Sequence, residues 1–217
     1  NLKNFAVNEK NPKYYFLNYF SRETLCKNMG INPDEKYVTV LPNNYFNNPV
    51  PPRNKVYVLD ERVRGIYSEI ENYCKKNNLK ILLKNKMKQG NYWSNIISHE
   101  KFFKGGVSYF HPTVALMAIS EFSVGFSSCA SIESESIGSR FISFWSHELE
   151  SIESAEKDII NHGMAYRLAQ SDNIFNICKT SKIDDIIDSL KDFMKSSRHR
   201  NFKNKIEIDS FFKGIKI

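Results

Sequence analysis

The segment from residue 123 to residue 144 constrains the fold of this chain more than any other, because two short apolar runs flank one brief polar stretch. Its sequence is SVGFSSCASIESESIGSRFISF. The first run predicts a buried strand from Ser123 to Phe126, and the second predicts a strand that begins with Phe141 and Ile142. The small hydroxyl residues between them predict a turn and a short helix that Gly138 ends. This order of elements predicts parallel strands in an α/β fold.

The rest of the chain repeats this alternation of helices and strands. Apolar residues spaced three and four apart predict helices, and short β-branched or apolar runs predict strands. The predicted helices cover 20–31, a segment after Asp60, 112–120, 153–162 and 183–196, and the predicted strands cover 37–41, 79–84, 107–110 and 123–126. Two segments, 47–54 with its prolines and 89–106 with no clear period, are predicted loops. The predicted fold is a Rossmann-like parallel sheet flanked by helices, with further helices at the carboxyl end.

A chain of 217 residues has room for one α/β domain with a helical appendage. We expect residues 1–19 to form a linker or interdomain segment and residues 20–180 to form the Rossmann-like domain. Residues 181–217 are expected to form a helical, basic segment. The first helix of the domain has Ser21 as its predicted cap and Gly30 near its end.

The chain carries a formal net charge of +7, with its basic residues concentrated in 75–88 and 191–205. These segments fit a solvated surface, a nucleic-acid backbone, an anionic membrane surface or a phosphorylated donor. No zinc finger, aromatic RNA-binding segment or basic helix-turn-helix accompanies the charge, so we expect no nucleic-acid partner. No apolar run approaches the roughly 20 residues of a membrane span. We expect a cytoplasmic protein, with peripheral contact to an anionic membrane as an open alternative.

The four cysteines are isolated in the sequence, with no C-x-x-C spacing. They are Cys26, Cys74, Cys129 and Cys178. Cys26 and Cys74 fall within predicted helices, where a cysteine behaves as a small apolar side chain. We expect buried thiols rather than disulfides or zinc ligands.

Three predicted loops follow strands that end at the same edge of the sheet, which is where open α/β sheets bind ligands. The loops supply Asn43 and Asn44, then Lys84 and Lys86, and then Ser127, Ser128, Cys129, Ala130 and Ser131. Backbone N–H groups at the start of the helix that follows the third loop favour a phosphate, and Glu133 lies one turn further on, where it could reach a ribose hydroxyl. Each loop also has an ordinary explanation, namely a turn, solvent-facing polarity or a helix cap.

Several well-known catalytic signatures are absent from the sequence. It contains no G-x-G-x-x-G, P-loop, G-x-S-x-G, metal-spaced histidine pair or Asp-x-Asp metal motif. We therefore expect no cofactor and no metal ion. His111 precedes Pro112 at a predicted strand-to-helix turn, which makes it a candidate catalytic residue or a local break in structure.

The order Ser127, Ser128, Glu133 and Gly138 resembles the carboxyl-terminal, donor-binding half of GT-B glycosyltransferases. Residues 20–31 also look like the helix that opens this half. The resemblance spans roughly residues 20–144 and is closest in pattern to bacterial capsule and surface-polysaccharide glycosyltransferases. CDP-glycerol glycerophosphotransferases and UDP-N-acetylglucosamine 2-epimerases have similar patterns.

The resemblance implies an enzyme that transfers a sugar from a nucleotide-activated donor to a surface-polysaccharide, glycan or lipid-linked acceptor. It implies that the serine loop and Glu133 hold the nucleotide and that Lys84, Lys86 and Arg140 face the departing phosphates. The chain departs from the family pattern in two places: Arg140 stands where many members have proline, and Lys84-Asn85-Lys86-Met87 stands where they have Lys-x-His-Pro. The Glu-x7-Glu pair of many retaining members is also absent, which favours an inverting or phosphotransferase-like group.

The catalytic base is not identified by the sequence. In two-domain GT-B enzymes the acceptor site belongs to the amino-terminal half, so we expect this chain to be a fragment that needs that half. Two alternatives stay open beside the transferase. One is a nucleotide-sugar epimerase or glycerophosphotransferase on the same fold, and the other is a non-catalytic α/β module that binds a partner or an anionic membrane.

Overall fold

A six-stranded, all-parallel sheet forms the centre of the protein, and helices cover both of its faces. The computed structural model describes residues 17, 20–42, 61–85, 97–103, 111–126, 130–144, 172–177 and 183–196. The strands lie in the order β3-β2-β1-β4-β5-β6. This is the strand order of Rossmann domains, so the predicted α/β class with a Rossmann-like sheet is confirmed.

The strands and helices alternate along the chain. The strands are β1 (Lys36–Leu41), β2 (Leu79–Lys84), β3 (Lys101–Phe103), β4 (Phe122–Phe126), β5 (Phe141–Phe144) and β6 (Ile174–Ile177). The helices are α1 (Arg22–Met29), α2 (Glu61–Lys76), α3 (Pro112–Ile119), α4 (Ala130–Ser136) and α5 (Ile183–Lys195). All five helices were predicted from the sequence. For α1, α3 and α5 the predicted ends differ from the observed ends by a few residues at most. For α2 and α4 the sequence predicted a helix without exact bounds.

Helix α1 has the two ends that its sequence predicts. The Ser21 hydroxyl accepts a hydrogen bond from the Thr24 backbone N–H, which satisfies one of the free donors at the start of the helix. Gly30 ends the helix with φ +64°, a left-handed conformation that costs glycine little. A side chain from the edge of the sheet reinforces this end, because Lys101 Nζ donates to the carbonyl oxygens of Met29 and Gly30 at 2.8 and 2.9 Å.

Two strands, β3 and β6, were not predicted. Strand β3 falls in the segment 89–106 that was assigned to a loop, and β6 lies in a segment to which the sequence assigned no element. Both lie at the outer edges of the sheet, where β3 pairs with β2 and β6 pairs with β5. The predicted strand at 107–110, the predicted helix at 153–162 and the predicted loop at 47–54 lie outside the described residues.

The core consists of one apolar layer on each face of the sheet. On one face, buried residues of α1, α3 and α4 pack on Tyr37, Leu41, Leu82 and Phe141. On the other face, residues of α2 and α5 pack on the strand residues that alternate with these, including Val38, Val40 and Val124. Alternate residues of each strand thus point to opposite layers, which explains why the strand sequences are almost continuously apolar.

Helix α5, which lies within the predicted helical and basic segment 181–217, belongs to the same core as the strands. Its Leu190 and Met194 are buried in the layer that also contains α2. Leu17, within the predicted linker, is buried in the other layer. The packing of Leu17 and of α5 places both ends of the described chain against the sheet. The domain boundaries drawn from the sequence stay predictions.

Candidate ligand site at the carboxyl edge of the sheet

The strand order reverses between β1 and β4, which are neighbours in the centre of the sheet. The chain leaves β1 toward β2 through α2 on one face, and it leaves β4 toward β5 through α4 on the other face. The two connections diverge from the same edge, so the carboxyl ends of β1 and β4 are the topological switch point of the sheet. Open α/β sheets bind their ligands in the crevice beyond such a point.

The third predicted loop meets this crevice at the start of α4. Ala130 and Ser131 form the first residues of the helix and both are buried, while Glu133 lies half-buried in its first turn. Ser131 is thus packed inside the protein rather than displayed at the surface. Ser127, Ser128 and Cys129 lie outside the described residues, as do Asn43, Asn44 and Lys86.

Gly138 has a local structural role in the segment that resembles the donor-binding half. It adopts φ +66°, and the Ser139 backbone N–H after it donates to the carbonyl oxygen of Ser134 at 2.9 Å. The Ser134 hydroxyl donates in return to the Ser139 carbonyl at 2.8 Å. The glycine therefore ends α4 and turns the chain into β5, as its position in the sequence predicts.

Lys84 is the last residue of β2 and lies at the carboxyl edge. Its partners across the sheet are Phe103 on β3 and, by continuation of the register, Leu41 on β1. The side chain is only 8% exposed, and Nζ donates to the carbonyl oxygen of Asn85 at 2.7 Å. Burial lowers the pKa of Lys84 from its ordinary value, because the charged form loses its hydration. Lys84 is therefore not the solvent-facing residue that its position at a strand end suggests.

Asn85 is a residue whose contribution the sequence analysis missed. It is buried, its backbone N–H donates to the carbonyl oxygen of Phe103 at 3.1 Å, and its own carbonyl accepts the Lys84 ammonium. The hydrogen bond to the edge strand β3 thereby fixes the position of Asn85, whose carbonyl oxygen accepts the hydrogen bond from Lys84. No sequence signal identifies this arrangement, because it depends on a strand that the sequence did not predict.

His111 lies at the same edge of the sheet as Lys84. It is the N-cap residue of α3, is half-buried and makes no side-chain capping bond. Pro112 follows at the first helical position, where its missing N–H costs nothing. Because α3 connects two parallel strands, its first residue lies at their carboxyl edge, which keeps His111 among the candidates.

Arg140 lies at the opposite edge, and the structure does not bring it together with Lys84. It directly precedes β5, and its carbonyl oxygen accepts the backbone N–H of Ser123 near the start of β4. The guanidinium packs 4.7 Å from the ring centre of Phe193 and donates to the Met194 carbonyl at 3.4 Å. Arg140 therefore supports the packing of α5 and does not contribute to the candidate site.

The described residues contain no group of three histidine, cysteine or acidic side chains that could hold a metal ion. Both described cysteines, Cys26 and Cys74, are buried and unpaired in disulfides, as predicted. Burial raises the pKa of the Cys74 thiol to about 12, so this thiol stays protonated and unreactive at neutral pH. No described helix is long and apolar enough to cross a membrane.

Comparison with protein-family models finds none that matches the chain, and no curated protein matches it. The resemblance to GT-B glycosyltransferases is therefore a hypothesis that depends on the residues quoted above and on the fold.

Proposed function

We propose that the crevice beyond β1 and β4 binds the phosphates of a nucleotide-activated sugar and that the chain is the donor-binding part of a glycosyltransferase. The reversal of strand order between these two strands is the observation that carries the proposal, because it defines where an α/β sheet of this topology binds a ligand. The segment that resembles a donor-binding loop leaves β4 at this reversal.

The chemistry of the edge supports a phosphate-bearing ligand. Transfer of a sugar leaves a nucleoside phosphate, whose negative charge needs positive groups or N–H donors placed beforehand. Lys84 supplies a buried positive charge that pairs with no carboxylate among the described residues. In this proposal the Lys84 ammonium contacts the phosphates, Glu133 contacts the ribose, and His111 is the candidate for proton transfer.

A thermal-shift screen against UDP, CDP, CMP, GDP and ADP tests the proposal. A ligand that binds only the folded state at ten times its dissociation constant stabilises the protein by about 1.4 kcal/mol, which corresponds to a rise in Tm of about 3 to 6 °C. We expect the Tm to rise with the nucleotides of one base and not with the others. This rise should be lost in Lys84→Met and Glu133→Ala.

Lys36→Met is the matched control for Lys84→Met. It removes the same charge from an exposed position at the opposite end of the neighbouring strand, β1. The control should keep the full nucleotide response. A protein that no nucleotide stabilises, or one in which both lysine variants lose the response equally, contradicts the proposal.

The alternatives on the same fold are separated by following a nucleotide sugar by NMR with the chain alone. Conversion of the sugar without an acceptor would favour the epimerase. Transfer of glycerol phosphate from CDP-glycerol to an added polyol-phosphate acceptor, with release of CMP, would favour the phosphotransferase. Nucleotide binding without conversion fits a donor-binding half.

A further inference from the structure

The ammonium group of Lys84 is buried at the carboxyl edge without a charged partner among the described residues. Its one hydrogen bond there goes to the backbone carbonyl of the next residue, Asn85. A carbonyl oxygen is a neutral acceptor and does not balance a full positive charge. An ammonium group taken out of water without an anion is disfavoured relative to the neutral amine.

The elements packed around Lys84 do not supply that anion. Its neighbours on β1 and β3, Leu41 and Phe103, are apolar. The Lys101 ammonium on β3 turns away to the end of α1. The first turn of α3 contains no acidic residue. The charged or titratable residues on the described elements of this face, including the cap of α3, are Arg22, Glu23, Cys26, Lys27, Tyr37, Lys80, Lys101, His111, Glu133 and Glu135.

None of these groups forms an ion pair with Lys84. The one carboxylate of α1 is engaged elsewhere, since Glu23 pairs with Lys27 at 2.7 Å on the exposed surface. Burial lowers the pKa of Lys84, and no charge in the described part of the chain contributes to the shift. Among the residues that the structure describes, the site therefore has no counter-charge for Lys84.

We propose that binding of an anionic ligand at this edge is coupled to uptake of a fraction of a proton by Lys84 from the buffer, and that this fraction grows as the pH rises. This inference rests on the proposed function, since the anion is a phosphate of the donor. A phosphate oxygen within hydrogen-bond distance stabilises the ammonium form, so the bound protein keeps the Lys84 proton to higher pH than the free protein does. By linkage, affinity falls as the pH rises through the range in which the free protein loses this proton.

Isothermal titration calorimetry measures the proton directly. The nucleotide selected by thermal shift is titrated in pairs of buffers that differ in ionisation enthalpy, at about pH 7.5 and about pH 9, both above the second phosphate pKa of about 6. We expect the wild-type protein to take up a fraction of a proton that grows with pH. Lys84→Arg should bind the nucleotide without this uptake, because a guanidinium stays charged over this range.

Equal proton uptake by the wild-type protein and Lys84→Arg would overturn the inference while leaving the proposed function intact. Inorganic pyrophosphate serves as a second probe. If it binds with Lys84-dependent proton uptake and no nucleotide binds, the inference holds and the proposed function fails. If neither probe binds, both fail.

A measurement on the ligand-free protein tests the inference independently of any ligand. NMR titration of the Lys84 side chain, assigned by comparison with Lys84→Arg, should give a pKa below the ordinary value of 10.5. A value at or above 10.5 would overturn the inference.

Discussion

Two of the described cations are buried, one at each end of the sheet, and they have different surroundings. At the amino edge, Arg140 lies against the rings of Phe193 and Phe122, and it donates to a carbonyl at the last turn of α5. At the carboxyl edge, the one hydrogen-bond partner of Lys84 in the described part of the chain is the carbonyl of the next residue. The first charge is therefore used within the fold, whereas the second is the one that we propose for ligand binding.

The surroundings of Arg140 contain several compensating groups. A cation over an aromatic ring in a desolvated position gains about 2 kcal/mol, and a cation at a helix carboxyl end gains up to about 2 kcal/mol. Tyr73 contributes its hydroxyl, which donates to the same Met194 carbonyl at 3.0 Å. One guanidinium nitrogen, Nη2, is buried without a hydrogen-bond partner, and this offsets part of the gain. Burial lowers the pKa of Arg140, while Tyr73 and Glu121 oppose that shift.

Of the two buried cations, Arg140 should affect stability more when it is replaced by methionine. Arg140→Met loses the interactions with the aromatic rings and with the end of α5 but keeps most of the side-chain volume. We expect the free energy of unfolding to fall by about 2 kcal/mol, as measured by urea denaturation. An unchanged or higher stability would show that the buried charge costs as much as its contacts contribute.

Tyr73→Phe tests the hydrogen bond that accompanies Arg140 at the Met194 carbonyl. It removes the hydroxyl that donates to Met194 and leaves the ring, which lies 6.2 Å from Phe122, in place. We expect a loss of about 1 kcal/mol in the same assay, because a single partly buried hydrogen bond contributes about that much. In the double variant with Arg140→Met, the two losses should not add, since both residues donate to one carbonyl.

Lys84→Met should have the opposite sign. The substitution removes a buried charge that has only a neutral partner, and it replaces the charge with an apolar side chain of similar length. We expect the protein to gain about 0.5 kcal/mol at neutral pH, or to be unchanged, while the nucleotide response is lost. A loss as large as that of Arg140→Met would mean that both cations are structural.

The smallest expected effect is the pH dependence of the difference in unfolding free energy between Lys84→Met and the wild-type protein. The pKa of Lys84 is lower in the folded protein than in the unfolded chain, so the unfolded chain binds more protons between the two pKa values. The stability of the wild-type protein should therefore rise, relative to Lys84→Met, as pH increases from the folded pKa toward 10.5. Parallel denaturation curves of the two proteins at several alkaline pH values measure the difference, and a constant gap would contradict the assignment.

Local signals predicted most of the central elements. Ser21 and Gly30 define the ends of α1, the apolar run from Leu79 to Lys84 has the bounds of β2, and Pro112 opens α3. These features depend on residues close together in the sequence. The edge strands depend instead on pairing with a distant strand, and each is only three or four residues long, so no periodicity identifies them.

The surroundings of the two cations were not predictable for the same reason. Arg140 directly precedes a strand, and nothing near it in the sequence indicates that Phe193 and Met194 of α5 will cover it. Lys84 ends a strand before further polar residues, a pattern typical of a solvent-facing position. Its burial follows from the packing of β1 and β3 on either side, which only the assembled sheet provides.

The pairing of β1 with β4, which aligns Val38 with Phe122, also has a consequence for synthesis of the protein. A chain that is still emerging from the ribosome can form α1, β1, α2 and β2 from local and short-range contacts, but the central seam of the sheet waits for β4. Contacts between residues so far apart in sequence form slowly, because a long loop must close first. Until then, the side of β1 that will pair with β4 is an open strand edge, which can pair with another chain. A chaperone that covers exposed strand edges would therefore have its largest effect before β4 is synthesised.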